Sequence, residues 1–136
     1  KENLEPKVLL LGWAFKKNTN DTRESAAIYV ADNLLKKNIQ INIYDPKVEK
    51  KQINLDLSQF SNSYNPKMVN VVSKPTKNLS TFNIVAILTE WDEFINYDWE
   101  KIYKKMKKPV YLYDGRNILD KNELKSIGFN YIGLGR

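Results

Sequence analysis

The sequence predicts an α/β domain, a doubly wound and mostly parallel sheet with helices on both faces. Three observations point there. The hydrophobic period switches repeatedly between the alternation of strands and the roughly 3.6-residue spacing of helices. The first strand candidate, Val8-Leu9-Leu10-Leu11, is a continuous apolar run, as expected of a strand covered on both sides. The order of elements, strand and helix in turn, calls for parallel strands joined by right-handed crossovers.

Each element follows from local chemistry. The run at residues 8–11 enters a long polar connection that opens at Gly12. Residues 26–36 form an amphipathic helix, because Ala27, Ile28, Val30, Ala31, Leu34 and Leu35 fall on one stripe. Asn38 ends it, since asparagine tolerates the left-handed conformation that follows a helix. Ile39, Ile41 and Ile43 alternate with polar residues and lead into Tyr44-Asp45-Pro46, a second strand closed by a turn. Residues 47–57 read as a polar helix or an irregular segment, and residues 58–66 as a Ser/Asn-rich loop. Residues 68–72 suit a short strand, 75–81 a helix, and 83–89 a strongly apolar strand. A helix over 98–108 is stopped by Pro109. Residues 110–115 make a strand and turn, 120–127 a short helix ended by Gly128, and 129–134 the last strand.

Composition narrows the function classes. The 136 residues suit one domain, and 42% hydrophobic with 28% charged content is the balance of a globular chain rather than a disordered one. Cysteine is absent, which removes disulfides and thiolate chemistry and makes the cytoplasm the expected compartment. Histidine is absent too, so the commonest general base and most transition-metal sites are missing, and no metal is expected. A net charge of +6 raises the question of nucleic acid. The basic residues, however, are mostly scattered lysines, and three arginines (Arg23, Arg116, Arg136) are too few for base-edge readout. The dense cluster at 101–108 reads as the solvent face of a helix, and no nucleic-acid partner is expected. No apolar run approaches the ~18 residues of a membrane span, and Lys1-Glu2-Asn3 does not begin a signal peptide.

In doubly wound folds ligands bind beyond the carboxyl ends of the strands, where the winding direction reverses. Those ends place Lys16, Glu90, Trp91 and Arg116 on one rim. The dinucleotide fingerprint Gly-x-Gly-x-x-Gly is missing: Ala14 stands where its second glycine belongs, and Gly133-x-Gly135 has no helix after it. The domain is therefore Rossmann-like without a standard NAD site. Asp45 ends the second strand, where it reads as an Asp-Pro turn or as a ribose-binding acid. The connection from Gly12 to Ser25 carries Lys16, Lys17 and Arg23, cations suited to a diphosphate. Asp21-x-x-Glu24 doubles as a capping-box variant, which leaves those cations as solvated loop charges in the alternative reading. Asp114-Gly115-Arg116-Asn117 sets a guanidinium at a strand end, able to hold a sugar or phosphate. Trp91 reads as core or interface packing against a base-stacking platform, and Tyr29, Tyr103 and Tyr131 as packing residues.

Gly12-Trp13-Ala14-Phe15-Lys16 followed by Asp21-Thr22-Arg23-Glu24-Ser25 resembles the C-terminal, UDP-binding domain of the UDP-glucose/GDP-mannose dehydrogenase family. The likeness extends to Tyr44-Asp45-Pro46-Lys47, Thr89-Glu90-Trp91-Asp92, Asp114-Gly115-Arg116 and Ile127-Gly128-Phe129, with Trp13 a departure that leaves the motif intact. The segment at 53–57 and the loop after it are similar to animal-type members, which implies UDP-glucose rather than GDP-mannose. The resemblance implies Phe15, Lys16 and Arg116 as substrate-binding residues and Arg23 as a contact to NAD. It further implies an NAD-dependent, two-step oxidation of the sugar C6 alcohol to a carboxylate, through a cysteine nucleophile. With no cysteine and no NAD fingerprint, no catalytic residue is expected here. The chain is expected to be a fragment of a longer dehydrogenase whose N-terminal domain binds NAD and whose central helix builds a homo-oligomer. Two alternatives stay open: a relative acting on UDP-N-acetylmannosamine or GDP-mannose, and a free-standing nucleotide-binding module.

Overall fold

The computed structural model describes residues 6–134; Gly135 and Lys1-Glu2-Asn3 lie outside the described residues. Strands β1 (Lys7–Leu11), β2 (Gln40–Tyr44), β3 (Val69–Val71), β4 (Ile84–Ile87), β5 (Tyr111–Asp114) and β6 (Asn130–Gly133) form one sheet in the order β3-β2-β1-β4-β5-β6. Every pairing is parallel, so the sheet is more regular than the mostly parallel one expected. The helices are α1 (Ala26–Lys36), α2 (Lys50–Phe60), α3 (Asp92–Ile95), α4 (Trp99–Lys105) and α5 (Lys121–Ile127).

The chain winds outward from β1 to β3, then returns to β4 and winds the other way to β6. With right-handed crossovers, this reversal puts α1 and α2 on one face and α4 and α5 on the other. Each pair packs against itself. The α1 stripe buries Ala27, Ala31 and Leu35, and α2 buries Ile53 and Leu57. Between them and the sheet lie Leu10, Ile41 and Ile43, all essentially solvent-free. The switch in winding direction falls between β1 and β4, which is where the expected rim lies.

Several elements differ from the sequence expectation. The segment at 47–57 is helical but begins at Lys50, because Asp45 holds the preceding turn. The helix expected over 75–81 reduces to a short 3-10 turn, Leu79–Thr81, entered through Asn78 in a left-handed conformation. α3 has no counterpart in the sequence reading; it is a single turn pinned by Glu93, whose carboxylate accepts from the hydroxyls of Tyr44 (2.7 Å) and Tyr97 (2.5 Å). Burial, followed by this contact with Glu93, pushes both phenols well above their ordinary range. α4 ends before Pro109, since Lys108 folds back and its ammonium donates to the carbonyls of Tyr103, Lys104 and Met106. Tyr103 and Tyr131 pack as expected, but Tyr29 is 60% exposed and meets Phe60 edge-on at the surface.

Two residues set the shape of the central strand ends. Gly12 has φ of +105°, and a Cβ there would lie 2.5 Å from the Cβ of Thr89. That close approach lets β1 and β4 exit side by side, with the Thr89 hydroxyl donating to the Ala14 carbonyl at 2.8 Å. Asp45, buried at the end of β2, accepts from five donors. Its Oδ2 takes the backbone N–H of Trp13 (2.7 Å), that of Ala14 (2.9 Å) and the indole N–H of Trp91 (3.1 Å). Its Oδ1 takes the N–H groups of Lys47 and Val48.

Asp45→Ala strands five donors in a dry environment and should cost about 3 kcal/mol or more of unfolding free energy. Urea unfolding followed by tryptophan fluorescence reads this directly; a loss under about 1 kcal/mol contradicts the assignment. Gly12→Ala combines left-handed strain with overlap on Thr89, and a loss of roughly 1–3 kcal/mol is expected from the same measurement.

Candidate functional site

The connection from β1 to α1 is built as a closed loop. The Phe15 N–H donates to the Asp21 carbonyl at 2.7 Å, so residues 16–20 form an excursion on a pinched base. Trp13 anchors the entry: it is fully buried, and its indole N–H donates to Asp56 of α2 at 3.0 Å. The exit is set by Ser25, which caps α1 by accepting from the Ala27 N–H. The capping box expected of Asp21 and Glu24 does not form. Glu24 lies in the left-handed region with φ of +61°, and Asp21 turns to Arg23 instead.

At the other side of the rim, Asp114 ends β5 fully buried and accepts from the N–H groups of Arg116 and Leu119 and from the hydroxyl of Tyr131. This turns Arg116 back across the strand ends. Its Nε–H donates to the Leu88 carbonyl (3.1 Å) and its Nη2–H to the Phe15 carbonyl (2.9 Å). Nη1 lies 3.0 Å from Oε1 of Glu90. One guanidinium thus bridges the ends of β1, β4 and β5. Phe15 and Arg116, 101 residues apart, are in direct contact, and Lys16 follows Phe15 on the exposed side of the same shelf.

The other expected residues sort by geometry. Arg23 stands apart from Arg116 on the loop's exit, exposed and paired with Asp21 through two hydrogen bonds of 3.0 and 2.8 Å. Lys17 pairs with Asp92 at 3.4 Å. Among the described residues, Lys16 is the rim cation without a carboxylate at ion-pair distance. Trp91 is buried with its indole N–H on Asp45, so it packs and does not present a stacking face. Asp45 in turn is consumed by its five donors, which leaves the turn reading and removes the ribose-binding one. Sequence reasoning missed the Arg116–Glu90 pairing and the five-donor role of Asp45. The latter's signal was a single acid before a proline, which any turn would share.

A standard dinucleotide site is not built here among the described residues: the glycine turn is missing, and Asp45 at the end of β2 is engaged by five protein donors. Among the described residues no group of three or more potential ligands could hold a metal, and no helix is long and apolar enough to cross a membrane.

The profile of the UDP-glucose/GDP-mannose dehydrogenase family, UDP binding domain, matches residues 9–121. The chain is 44% identical to the UDP-glucose 6-dehydrogenase of Drosophila melanogaster over 136 residues, which covers 97% of this chain and 29% of that protein. It thus spans less than a third of the length of the curated relatives it matches. Among solved structures, a UDP-D-ManNAc dehydrogenase from Pyrococcus horikoshii matches 98% of the chain, and 26% of its own, with TM-score 0.70 and 26% identity. An NDP-N-acetyl-D-galactosaminuronic acid dehydrogenase from Methanosarcina mazei Go1 shares the fold at TM-score 0.77 and 24% identity, covering 96% of this chain and 25% of that one.

The Asp21–Arg23 pair is open to titration. The Arg23 side chain, by hydrogen bonding first, holds the Asp21 carboxyl down at about 2. Because the folded-state pKa lies below the unfolded one, any stabilisation is present above the ordinary carboxylate range and disappears as pH falls towards 2. Carbon-detected NMR should place the Asp21 midpoint near 2 and raise it in Arg23→Ala, though not fully to the ordinary range, because the backbone N–H of residue 23 still donates to Asp21. An unchanged midpoint in the variant contradicts the pairing.

Proposed function

The chain belongs to the UDP-glucose/GDP-mannose dehydrogenase family, matching its UDP binding domain, and from that premise we propose that it holds UDP-glucose for an NAD-dependent oxidation to UDP-glucuronate. The observation that supports this reading is the contact of Arg116 with the Phe15 carbonyl at the switch point, with the exposed Lys16 next in the chain. The uncompensated Lys16 ammonium faces the diphosphate, and Phe15, 41% exposed, offers an apolar surface beside it. Arg116 contributes through its remaining N–H groups while it fixes the loop backbone. The chain's own work is to bind and orient: without cysteine or histidine it offers no thiol nucleophile and no imidazole base. The oxidation belongs to the longer enzyme, whose other domain holds NAD. On this reading Arg23, exposed and paired with Asp21, reaches that cofactor from this side.

UDP-glucose is favoured over an amino sugar by the 44% identity to the fly UDP-glucose 6-dehydrogenase. Turnover by the longer enzyme of the amino sugar alone overturns that choice.

Lys16→Ala removes the charge without touching the core. UDP affinity measured by calorimetry should fall roughly tenfold to a hundredfold, since charge-assisted hydrogen bonds contribute about 1.5–3 kcal/mol. The melting temperature of the unliganded protein should stay the same. Unchanged affinity, or no UDP binding by the folded parent protein, defeats the reading.

A further inference from the structure

Glu90 holds a position that the electrostatics of the rim reserve for an anion. It lies three residues beyond the end of β4 at the switch point, between the β1 loop and the turn after β5. Its Oε1 lies 3.0 Å from Nη1 of Arg116, and its Oε2 faces the backbone N–H of Lys17 at 3.5 Å. A guanidinium and a loop amide around one oxyanion are the groups that hold a phosphate. The fit is imperfect, however. Oε1 is shut off from solvent yet receives no aligned N–H from any described residue, so its contact with Arg116 is ionic alone. The amide contact is at the outer limit of hydrogen-bond distance. The Glu90 side chain is 28% exposed, so Oε2 keeps access to water, whereas Oε1 has given it up without gaining an aligned donor.

Asp92 and Asp21 neutralise Lys17 and Arg23, but each stands outside the Phe15–Arg116 bridge. Among the described residues, Glu90 is the acid that contacts both walls of the shelf. We infer that Glu90 is the internal counter-ion of the binding shelf, holding Arg116 and the Lys17 amide until a ligand phosphate takes its place. This rests on the nucleotide-sugar reading above and deepens it. The consequence is selection by charge. An intramolecular carboxylate competes at high effective concentration, so a ligand must bring enough negative charge to repel it and to engage Lys16 as well. A nucleoside diphosphate group does both, whereas a monophosphate presents a single phosphate to the two cations. Arg116 keeps its bonds to Leu88 and Phe15 during the exchange, so the loop stays in place and only the Glu90 side chain leaves.

The test compares the parent protein with Glu90→Gln, which keeps the shape and removes the charge, by calorimetric titration with UDP and with UMP. Glu90→Gln should bind UDP about tenfold more tightly and narrow the preference for UDP over UMP. In the unliganded parent, the Lys17 amide resonance should shift on UDP addition towards its position in the variant. If the parent binds UDP and the variant binds it equally or more weakly, Glu90 positions Arg116 for the ligand and the exchange is overturned, with the nucleotide reading intact. If neither protein binds UDP while both melt cooperatively, the nucleotide reading fails and the exchange falls with it. Glu90→Ala guards against the amide of Gln taking up a new contact; the same gain in UDP affinity is expected, and its absence counts against the exchange.

Discussion

A buried carboxylate at the end of β2 is the constraint on which the rest of this domain depends. Asp45 is 8% exposed, and a charge in that position is tolerable only when it is fully solvated by protein donors. The five donors come from the exit of β1, from its own turn and from the residue that follows Glu90 after β4. Satisfying one side chain therefore registers three strand ends against one another. Gly12 and Thr89 add a steric condition to the same junction, because β1 and β4 approach too closely there for a side chain on Gly12.

The rim inherits its geometry from that junction. With the β1 exit fixed, the Phe15 carbonyl points where Arg116 can reach it, and the loop from Lys16 onward is presented outward. A second buried carboxylate, Asp114, performs the corresponding task for β5 by gathering the N–H groups of Arg116 and Leu119. Two buried acids thus fix the strand ends that carry the cations of the rim. The loop and rim cations Lys17, Arg23 and Arg116 each stand beside a carboxylate, so a net positive chain is locally close to balanced there.

Much of the fold was legible because its information is local. The apolar run before Gly12, the stripe of α1 and the Asp120 and Gly128 boundaries of α5 are each contained within a few residues. The loop motif was legible for the same reason, as was the gathering of Lys16, Glu90 and Arg116 on one rim once the strand ends were identified. Where local signals were ambiguous the reading failed: residues 75–81 were expected to be helical, but they are rich in turn-favouring Thr, Asn and Ser, and Asn78 adopts a left-handed conformation that breaks the helix. Asp21-x-x-Glu24 matched a cap pattern, yet Ser25 was the better cap and Arg23 the nearer partner for Asp21.

The sequence by itself determined the succession of strands and helices, the doubly wound class and the identity of the cations at the strand ends, since periodicity and turn chemistry act between neighbours in the chain. Only the tertiary structure decided that every strand is parallel, that Asp45 joins three segments, and that Arg116 reaches Phe15 across 101 residues to meet Glu90. Those contacts depend on which donor finds which acceptor once the sheet is assembled. A hydrogen bond between distant segments leaves no periodic trace in either of them, so its partners become visible only when the fold brings them within three ångströms or so of each other.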